Sequence, residues 1–142
     1  MKDCGLAIRK AYFDKLNEES YSLDVYDTIA PDTVNPPFLI ISSQTSVENS
    51  DKMNYHQDVT IQFDIVFKSS KIGEVGQKSV DDWANELLEI IGVYPIDYPN
   101  AGPNFRIVTR KISTNDATFD YVDEAYIFRR VIVFEHFVTQ TL

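Results

Sequence analysis

The chain contains a single cysteine, Cys4, no long apolar run and no excess of basic residues. One cysteine excludes an intrachain disulfide framework and a cysteine-based zinc cage, and we interpret Cys4 as a small buried residue of the first helix. No apolar stretch approaches the length that spans a bilayer, and the N-terminus lacks a secretory signal. We therefore expect a protein that is made in the reducing cytoplasm and has no membrane partner.

Basic residues are few: 13 Lys and Arg stand against 22 Asp and Glu, which gives a formal charge of -9. This is the wrong sign for a protein whose main task is to bind nucleic-acid phosphates. We expect no direct sequence-specific nucleic-acid binding.

Motifs for catalysis are also missing, since the sequence has no nucleophile motif, P-loop, dinucleotide-binding glycine pattern or zinc-binding HExxH helix. Gly73 and Gly76 precede a predicted helix but lack the Gly-Lys-Ser/Thr that completes a phosphate-binding loop. His56 and Asp58 share one face of a predicted strand, and we interpret them as part of a polar solvated face rather than a metal pair. We interpret His136 as a stacked or hydrogen-bonded structural histidine. The expectation is a protein without catalytic activity, metal or cofactor.

Apolar residues make up 44% of the 142 residues, which predicts one folded domain over residues 1–142. The clearest helix is predicted over Ser79–Gly92, with Ser79 as N-cap, Asp81 and Asp82 in the first turn, and Gly92 at the end. Its apolar residues form one stripe at helical spacing: Val80, Trp83, Ala84, Leu87, Leu88 and Ile91.

A first helix is predicted over about residues 3–17. Leu6 and Phe13 lie off its apolar face, so either the helix is buried on two sides or these two residues contact another subunit. Strands are predicted over residues 23–27, 38–41, 55–67, about 105–112 and about 121–139, with a turn around Thr114-Asn115-Asp116. The fold class that follows is α+β, in the order α-β-β-β-α-β-β: a mainly antiparallel sheet of four to five strands with two helices on one face.

Residues 42–54 are polar, with Val47 and Met53 as the apolar exceptions. The segment is either a long polar loop or the projecting tip of a β-hairpin. Long loops in compact domains are usually functional, so we favour an arm that becomes ordered on a partner.

Charge is unevenly distributed after residue 78. Asp81, Glu86 and Glu89 lie on the predicted helix, and basic residues follow on the last two strands, including Arg106, Arg110, Lys111, Arg129 and Arg130. These charges either serve solvation and intrachain pairing, or join copies of the chain head to tail in a ring.

The run Val25-Tyr26-Asp27, then Pro31, then Pro36-Pro37 followed by Phe38–Ile41, resembles the "VYD…P…PY/F" run of the small tail-completion or tail-terminator proteins of tailed bacteriophages. The resemblance continues through the alternating strand at 59–67, the Gly73–Gly76 link and the helix at 80–91. It covers most of the chain in element order. The sequence departs from the family at Ser42, where a glycine often ends the second strand.

This resemblance implies a non-enzymatic virion protein that forms a ring, often hexameric, at the head–tail joint and binds the neck or adaptor proteins and the tail. The alternatives are a protein- or ligand-binding module of similar fold, a neck or head-completion ring protein of a short-tailed phage, and an enzyme with an unrecognised site. Under the ring hypothesis the predicted subunit and partner contacts are Leu6, Phe13, Val47, Glu48, Asp51, Met53, Asp81, Glu86, Glu89, Arg106, Arg110 and Arg129.

Overall fold

The computed structural model describes residues 3–29, 36–69, 76–91 and 101–141. These segments contain two helices and five strands, in the predicted order. Their bounds are α1 (Gly5–Glu18), β1 (Val25–Asp27), β2 (Phe38–Glu48), β3 (His56–Ser69), α2 (Gly76–Ile91), β4 (Phe105–Val122) and β5 (Ala125–Gln140).

The strands form one sheet in the order β1-β2-β3-β5-β4. β1 pairs with β2 in parallel, and the other neighbours are antiparallel. Both helices pack on the same face of this sheet. The predicted α+β fold class is therefore confirmed, with five strands.

The core lies between the helices and the sheet. The ring of Tyr12 on α1 packs edge-on against Phe63 of β3, with 5.3 Å between ring centroids, and stacks on Phe134 of β5. The ring of Trp83 on α2 packs on Phe67 of β3, with 5.6 Å between ring centroids. Burying each large apolar side chain contributes roughly 1.5–3 kcal/mol as an upper estimate, so these contacts hold the two layers together.

The apolar stripe predicted for α2 faces this core. Val80, Ala84, Leu87 and Ile91 are buried, and Trp83 and Leu88 are half-buried and pack beside them. The predicted start of the helix is wrong, because α2 begins at Gly76, three residues before Ser79. Ser79 therefore lies inside the helix, and the first turn contains no acidic residue. The predicted ends at Gly92 and Pro95 lie outside the described residues.

Helix α1 is displaced by one or two residues from the predicted range. Its buried side is formed by Gly5, Ile8, Ala11, Tyr12 and Leu16, and Cys4, which was predicted to lie in the helix, precedes it as the N-cap residue. The side chain of the N-cap residue Cys4 makes no capping bond, and the carboxylate of Asp3 accepts a hydrogen bond from the Gly5 N–H at 2.7 Å.

β2 is longer than predicted, because residues 42–48 continue the strand and pair with β3 after a bulge between Ile41 and Gln44. Residues 49–55 then connect β2 to β3 in a hairpin. The predicted alternation of β3 is confirmed: Val59, Ile61, Phe63 and Ile65 are buried against the helices, and the residues between them are half-exposed.

The predicted turn at Thr114-Asn115-Asp116 is wrong. These residues belong to β4, which runs for 18 residues and has a register shift between Ile112 and Thr114. The chain turns instead at Asp123 and Glu124, where φ is 51° and 62°. Two consecutive positive φ values are those of a type I′ hairpin turn, which matches the twist of the strands on either side. Polar residues were a misleading turn signal here, since β4 is an edge strand whose side chains stay hydrated.

Candidate subunit-contact surfaces

The tip of the β2–β3 hairpin is held by one carboxylate. Asp51 accepts hydrogen bonds from the backbone N–H groups of Met53 and Asn54, each at 2.8 Å. These bonds, and a weaker one with His56, lower the pKa of Asp51. The tip presents an apolar side chain to solvent, since Met53 is 86% exposed. Val47 and Glu48, at the end of β2, are exposed as well.

His56 is also part of the tip. Its Nε2 lies 3.2 Å from the carboxylate of Asp51, and its ring packs on Phe137 with 4.8 Å between centroids. Asp58 instead accepts a hydrogen bond from the side-chain amide of Asn49 at 3.2 Å. His56 and Asp58 thus have different partners. Among the described residues no group of three His, Cys, Asp or Glu is placed to hold a metal ion.

A cavity of about 560 Å³ lies beside the tip. Its wall combines Asp51, Met53 and Tyr55 of the hairpin with Arg106 of β4 and Thr139 of β5. Five predicted contact positions therefore lie at one end of the sheet, where the fold brings Arg106 next to Val47, Glu48, Asp51 and Met53.

The α1 surface contains the other predicted apolar contacts. Leu6 is 79% exposed, whereas Phe13 is half-buried and packs against the core. Both line a notch of about 230 Å³ that also includes Lys10 and Asp27. Arg9 closes one side of it, because its guanidinium pairs with Asp27 and donates to the Ser42 carbonyl at 2.8 Å.

Two of the predicted acidic contacts on α2 have intrachain partners. Asp81 pairs with Arg130 of β5 at 2.6 Å, and Arg130 also donates to the side chain of Asn115. Glu86 accepts hydrogen bonds from the backbone N–H and the hydroxyl of Ser22, at 3.1 and 2.8 Å. Glu89 is exposed.

The predicted basic contacts also include residues with intrachain partners and residues that are exposed. Arg110 is directed inwards: it donates to the Ile91 carbonyl at 2.9 Å and lies over the ring of Phe134 at 5.3 Å. Arg106 and Arg129 are exposed. Among the charged candidates on α2, β4 and β5, intrachain pairing therefore accounts for Asp81, Glu86 and Arg110, and the exposed charges that remain are Glu89, Arg106 and Arg129. The contact role of all twelve residues stays a prediction.

A buried polar chain, which the sequence did not reveal, crosses the core next to Arg110. Nη1 of Arg110 donates to the Tyr12 hydroxyl at 3.3 Å, and the Tyr12 hydroxyl is hydrogen-bonded to Nε2 of His136. Nδ1 of His136 donates to the Val59 carbonyl at 3.0 Å. His136 is 1% exposed. Of the two predicted roles, stacked or hydrogen-bonded, the structure confirms the hydrogen-bonded structural histidine; its ring meets Tyr12 edge-on.

Burial lowers the pKa of His136 to about 4; the hydrogen bond to Val59 acts in the opposite direction, and the charge of Arg110 adds to the lowering. The imidazole is therefore neutral at pH 7. The sequence signal was the position of His136 on the apolar face of β5, between Phe134 and Val138. Its partners Tyr12 and Arg110 come from elements that only the fold brings together.

Cys4 is likewise inside the protein. Its Sγ donates to Oε1 of Gln57 at 2.8 Å. Burial, with a smaller contribution from the nearby charge of Asp3, raises the pKa of the Cys4 thiol to about 11. The thiol is thus protonated and unreactive, as a buried residue of this kind should be.

The glycine link at 73–75 lies outside the described residues. Within the described segments, no helix has both the length and the apolar character needed to cross a membrane.

The architecture defined above is a five-stranded mixed sheet covered on one face by two helices. The same fold occurs in a solved structure described as the virion of a native gene transfer agent (GTA) particle: one of its chains is 15% identical, and the match covers 95% of both chains with a TM-score of 0.70. At this identity the likeness establishes the fold. No protein-family model matches the sequence, and no curated protein matches it.

Proposed function

We propose that this protein is a structural, non-enzymatic subunit of a phage-like virion. In this proposal it forms a homo-oligomeric ring at the head–tail joint, as a tail-terminator or tail-completion protein does, and joins the tail to the neck proteins. The observation that carries the proposal is the fold shared with a chain of the gene transfer agent virion over 95% of both chains. Such complete coverage means that the helices and the whole sheet have counterparts in a particle subunit.

The distribution of exposed apolar side chains supports repeated contacts between copies. Leu6 on α1 and Met53 at the hairpin tip are both largely exposed and line different cavities, which share no residue. A ring requires two different surfaces on each subunit, because each copy contacts its neighbours head to tail. The α1 notch and the β2–β3 tip are two such surfaces.

The absence of activity is part of the proposal. The most chemically capable group in the described core is the chain of Arg110, Tyr12 and His136, which is hydrogen-bonded internally and in which Tyr12 and His136 are buried. Its neutral histidine holds α1 against β5. We expect no turnover of small molecules by the purified protein.

The direct test is the mass of the protein in solution and its presence in particles. Light scattering on the purified chain should give a ring of several copies, or a ring should form when the neck and tail proteins are added. Mass spectrometry of particles made from the encoding genome should detect the chain. A protein that stays monomeric with those partners and is absent from particles contradicts the proposal.

The ring contacts can be tested with single substitutions at exposed positions. Leu6→Asp and Met53→Asp should each prevent ring formation while leaving the circular dichroism spectrum unchanged. Ile29→Asp is the matched control, because Ile29 is also an exposed apolar residue but is not a predicted contact. If all three variants assemble alike, the two surfaces are not the ring contacts.

A further inference from the structure

β4 forms one edge of the sheet. Its 18 residues pair with β5 on one side, and the described residues include no strand on its other side. Alternate backbone N–H and C=O groups along such an edge point away from the sheet and are available to another strand. The opposite edge, β1, has only three residues. Among the described strands, β4 is therefore the long unpaired edge of the sheet.

Charge on β4 is ordered along the face of the sheet that carries no helix. The register of β4 with β5 shifts at residues 108 and 113. The pairing on either side of these shifts identifies the residues of β4 that lie on this outer face. In chain order these residues are Arg106, Thr109, Lys111, Thr114, Asp116, Thr118, Asp120 and Val122. Basic residues occupy the first half and acidic residues the second half, with threonines between them.

This sequence of charges is complementary to itself when the strand is reversed. We infer that β4 pairs antiparallel with β4 of a second copy, about a two-fold axis that passes between the two Thr114 residues. In this register Arg106 lies opposite Asp120 of the second copy, and Lys111 lies opposite Asp116. The two-fold axis repeats each pair, so that four oppositely charged pairs line the contact.

The helix-side face of β4 is compatible with the same register. Ile107 lies opposite Phe119 of the second copy, and Phe105 lies opposite Tyr121. Phe119 is 61% exposed in the single chain, and Tyr121 is exposed as well. Both rings are already ordered by contacts with Tyr126, at centroid distances of 5.9 and 4.8 Å. Pairing buries these rings without the entropic cost of fixing loose side chains.

Other registers lose this match. A shift of the axis by one ladder position, in either direction, places Lys111 opposite a threonine. The same shift places Arg106 opposite a threonine in one direction and opposite Val122 in the other. Moving it further towards the β4–β5 turn, to Thr118, sets Asp116 opposite Asp120. Like charges directly opposite each other destabilise a strand pair. The charge pattern therefore specifies one register.

The second half of β4 lacks the features that usually protect an edge. From Asn115 to Val122 the ladder with β5 has no register shift, and the segment contains no lysine, arginine or proline. Bulges, prolines and lysines are the common means of preventing edge-to-edge association. Their absence leaves this half open to a second strand, while the bulges of the first half bend only its beginning.

Apart from Arg106, which is also a predicted ring contact, the residues of this contact differ from those of the proposed ring. A two-fold contact closes with two copies and cannot by itself generate a ring. It holds the free subunit as a dimer, whichever contacts the subunit makes in a particle.

Cysteine cross-linking tests the register directly. Residues opposite each other in an antiparallel pair have Cα atoms about 4.5–5.5 Å apart, within the range of a disulfide. Thr114→Cys should form a disulfide-linked dimer under mild oxidation. Thr109→Cys and Thr118→Cys should not do so separately, but should cross-link when mixed. The unchanged protein is the control, since its Cys4 is buried.

A cross-linking yield for Thr114→Cys no higher than that of Thr109→Cys or Thr118→Cys alone overturns the register. A ring formed without this cross-link would leave the proposed function intact and remove the β4 pairing. The two failures are therefore distinguishable.

Charge reversal tests the ion pairs. Lys111→Glu should weaken the dimer about tenfold in a sedimentation concentration series, because it places like charges opposite each other twice. Adding Asp116→Lys to the same chain should restore the dimer. Restoration reports on the contact between copies, because the double variant does not rebuild the 3.7 Å intrachain pair of Lys111 with Glu135.

Lys68→Glu is the matched control, since Lys68 is an exposed lysine on the same sheet face, away from the edge. It should leave the dimer unchanged. A protein that is monomeric at every concentration, or a Lys111→Glu dimer as tight as the unchanged one, overturns the inference.

Discussion

The hydroxyl of Tyr12 on α1 is hydrogen-bonded to Nε2 of His136 on β5, 124 positions further along the chain. The bond links the first helix to the last strand inside the core. Nδ1 donates to the Val59 carbonyl, so in the neutral imidazole Nε2 accepts the hydroxyl proton of Tyr12. The core packing of α1 therefore depends on the protonation state of one histidine.

Acid should destabilise the protein through this residue. The pKa of His136 is about 4 in the folded protein, against 6.5 for an unperturbed histidine. Above pH 6.5 the imidazole is neutral in both states, and between pH 6.5 and 4 the unfolded chain binds the proton more readily. The unfolding free energy should fall by a few kcal/mol over that interval.

Urea titrations between pH 7 and 4 measure this dependence. His136→Gln is less stable at pH 7 but lacks the titrating group, so its unfolding free energy should decline less steeply. Parallel pH curves for the two proteins would show that His136 is not responsible.

Arg110 should matter for stability rather than for contacts between copies. Its guanidinium binds the carbonyl of Ile91, one of the last residues of α2, where cations and donors are stabilising. Arg110→Ala should cost roughly 1–3 kcal/mol of unfolding free energy. Lys68→Ala, on the same sheet but exposed and outside the proposed contacts, should change it by less than about 0.5 kcal/mol. Equal effects in chemical denaturation would contradict the structure.

The ion pair of Asp81 with Arg130 fixes α2 to β5. Because both side chains are partly exposed, a double-mutant cycle with Asp81→Ala and Arg130→Ala should give a coupling energy of about 0.5–1 kcal/mol, which falls as salt is added. Asp82→Ala is the adjacent control, since Asp82 is exposed on the same helix. A coupling energy of zero at low salt would show that this pair does not hold the helix.

The β4–β5 turn lacks the glycine that its backbone conformation favours. Asp123 and Glu124 both have positive φ, and the second position of a type I′ turn favours glycine. Glu124→Gly should raise the melting temperature, with a gain of about 0.5–1 kcal/mol, because glycine adopts this conformation without a steric penalty. Glu124→Ala keeps the penalty and should show no gain. If alanine stabilises as much as glycine, backbone strain is not the cause.

The regular elements could be predicted because their patterns are local. The alternation of β3 and the stripe from Val80 to Ile91 reflect the periods of a strand and of a helix, and both faces pack as expected. Predictions based on polar residues were less reliable. Ser79 did not begin its helix, and Thr114 to Asp116 did not form a turn, because the same residue types are found in exposed turns of helices and on edge strands.

The charged contact candidates on α2, β4 and β5 fall into two groups, paired and exposed, which could not be distinguished from the sequence. Asp81, Glu86 and Arg110 have intrachain partners, whereas Glu89, Arg106 and Arg129 face solvent. Helix and strand periodicity give the side on which a residue lies, but not the neighbour that the fold brings to it.

The sequence by itself determined the order of the elements, their apolar faces and hence the α+β class, since these follow from backbone periodicity and the burial of apolar surface. Only the tertiary structure decided that β4 is an edge strand, that Arg110 closes the end of α2, and that Tyr12 meets His136. Each of these relations joins residues distant in the chain, and the free energy that fixes them arises only when the sheet and helices are packed together.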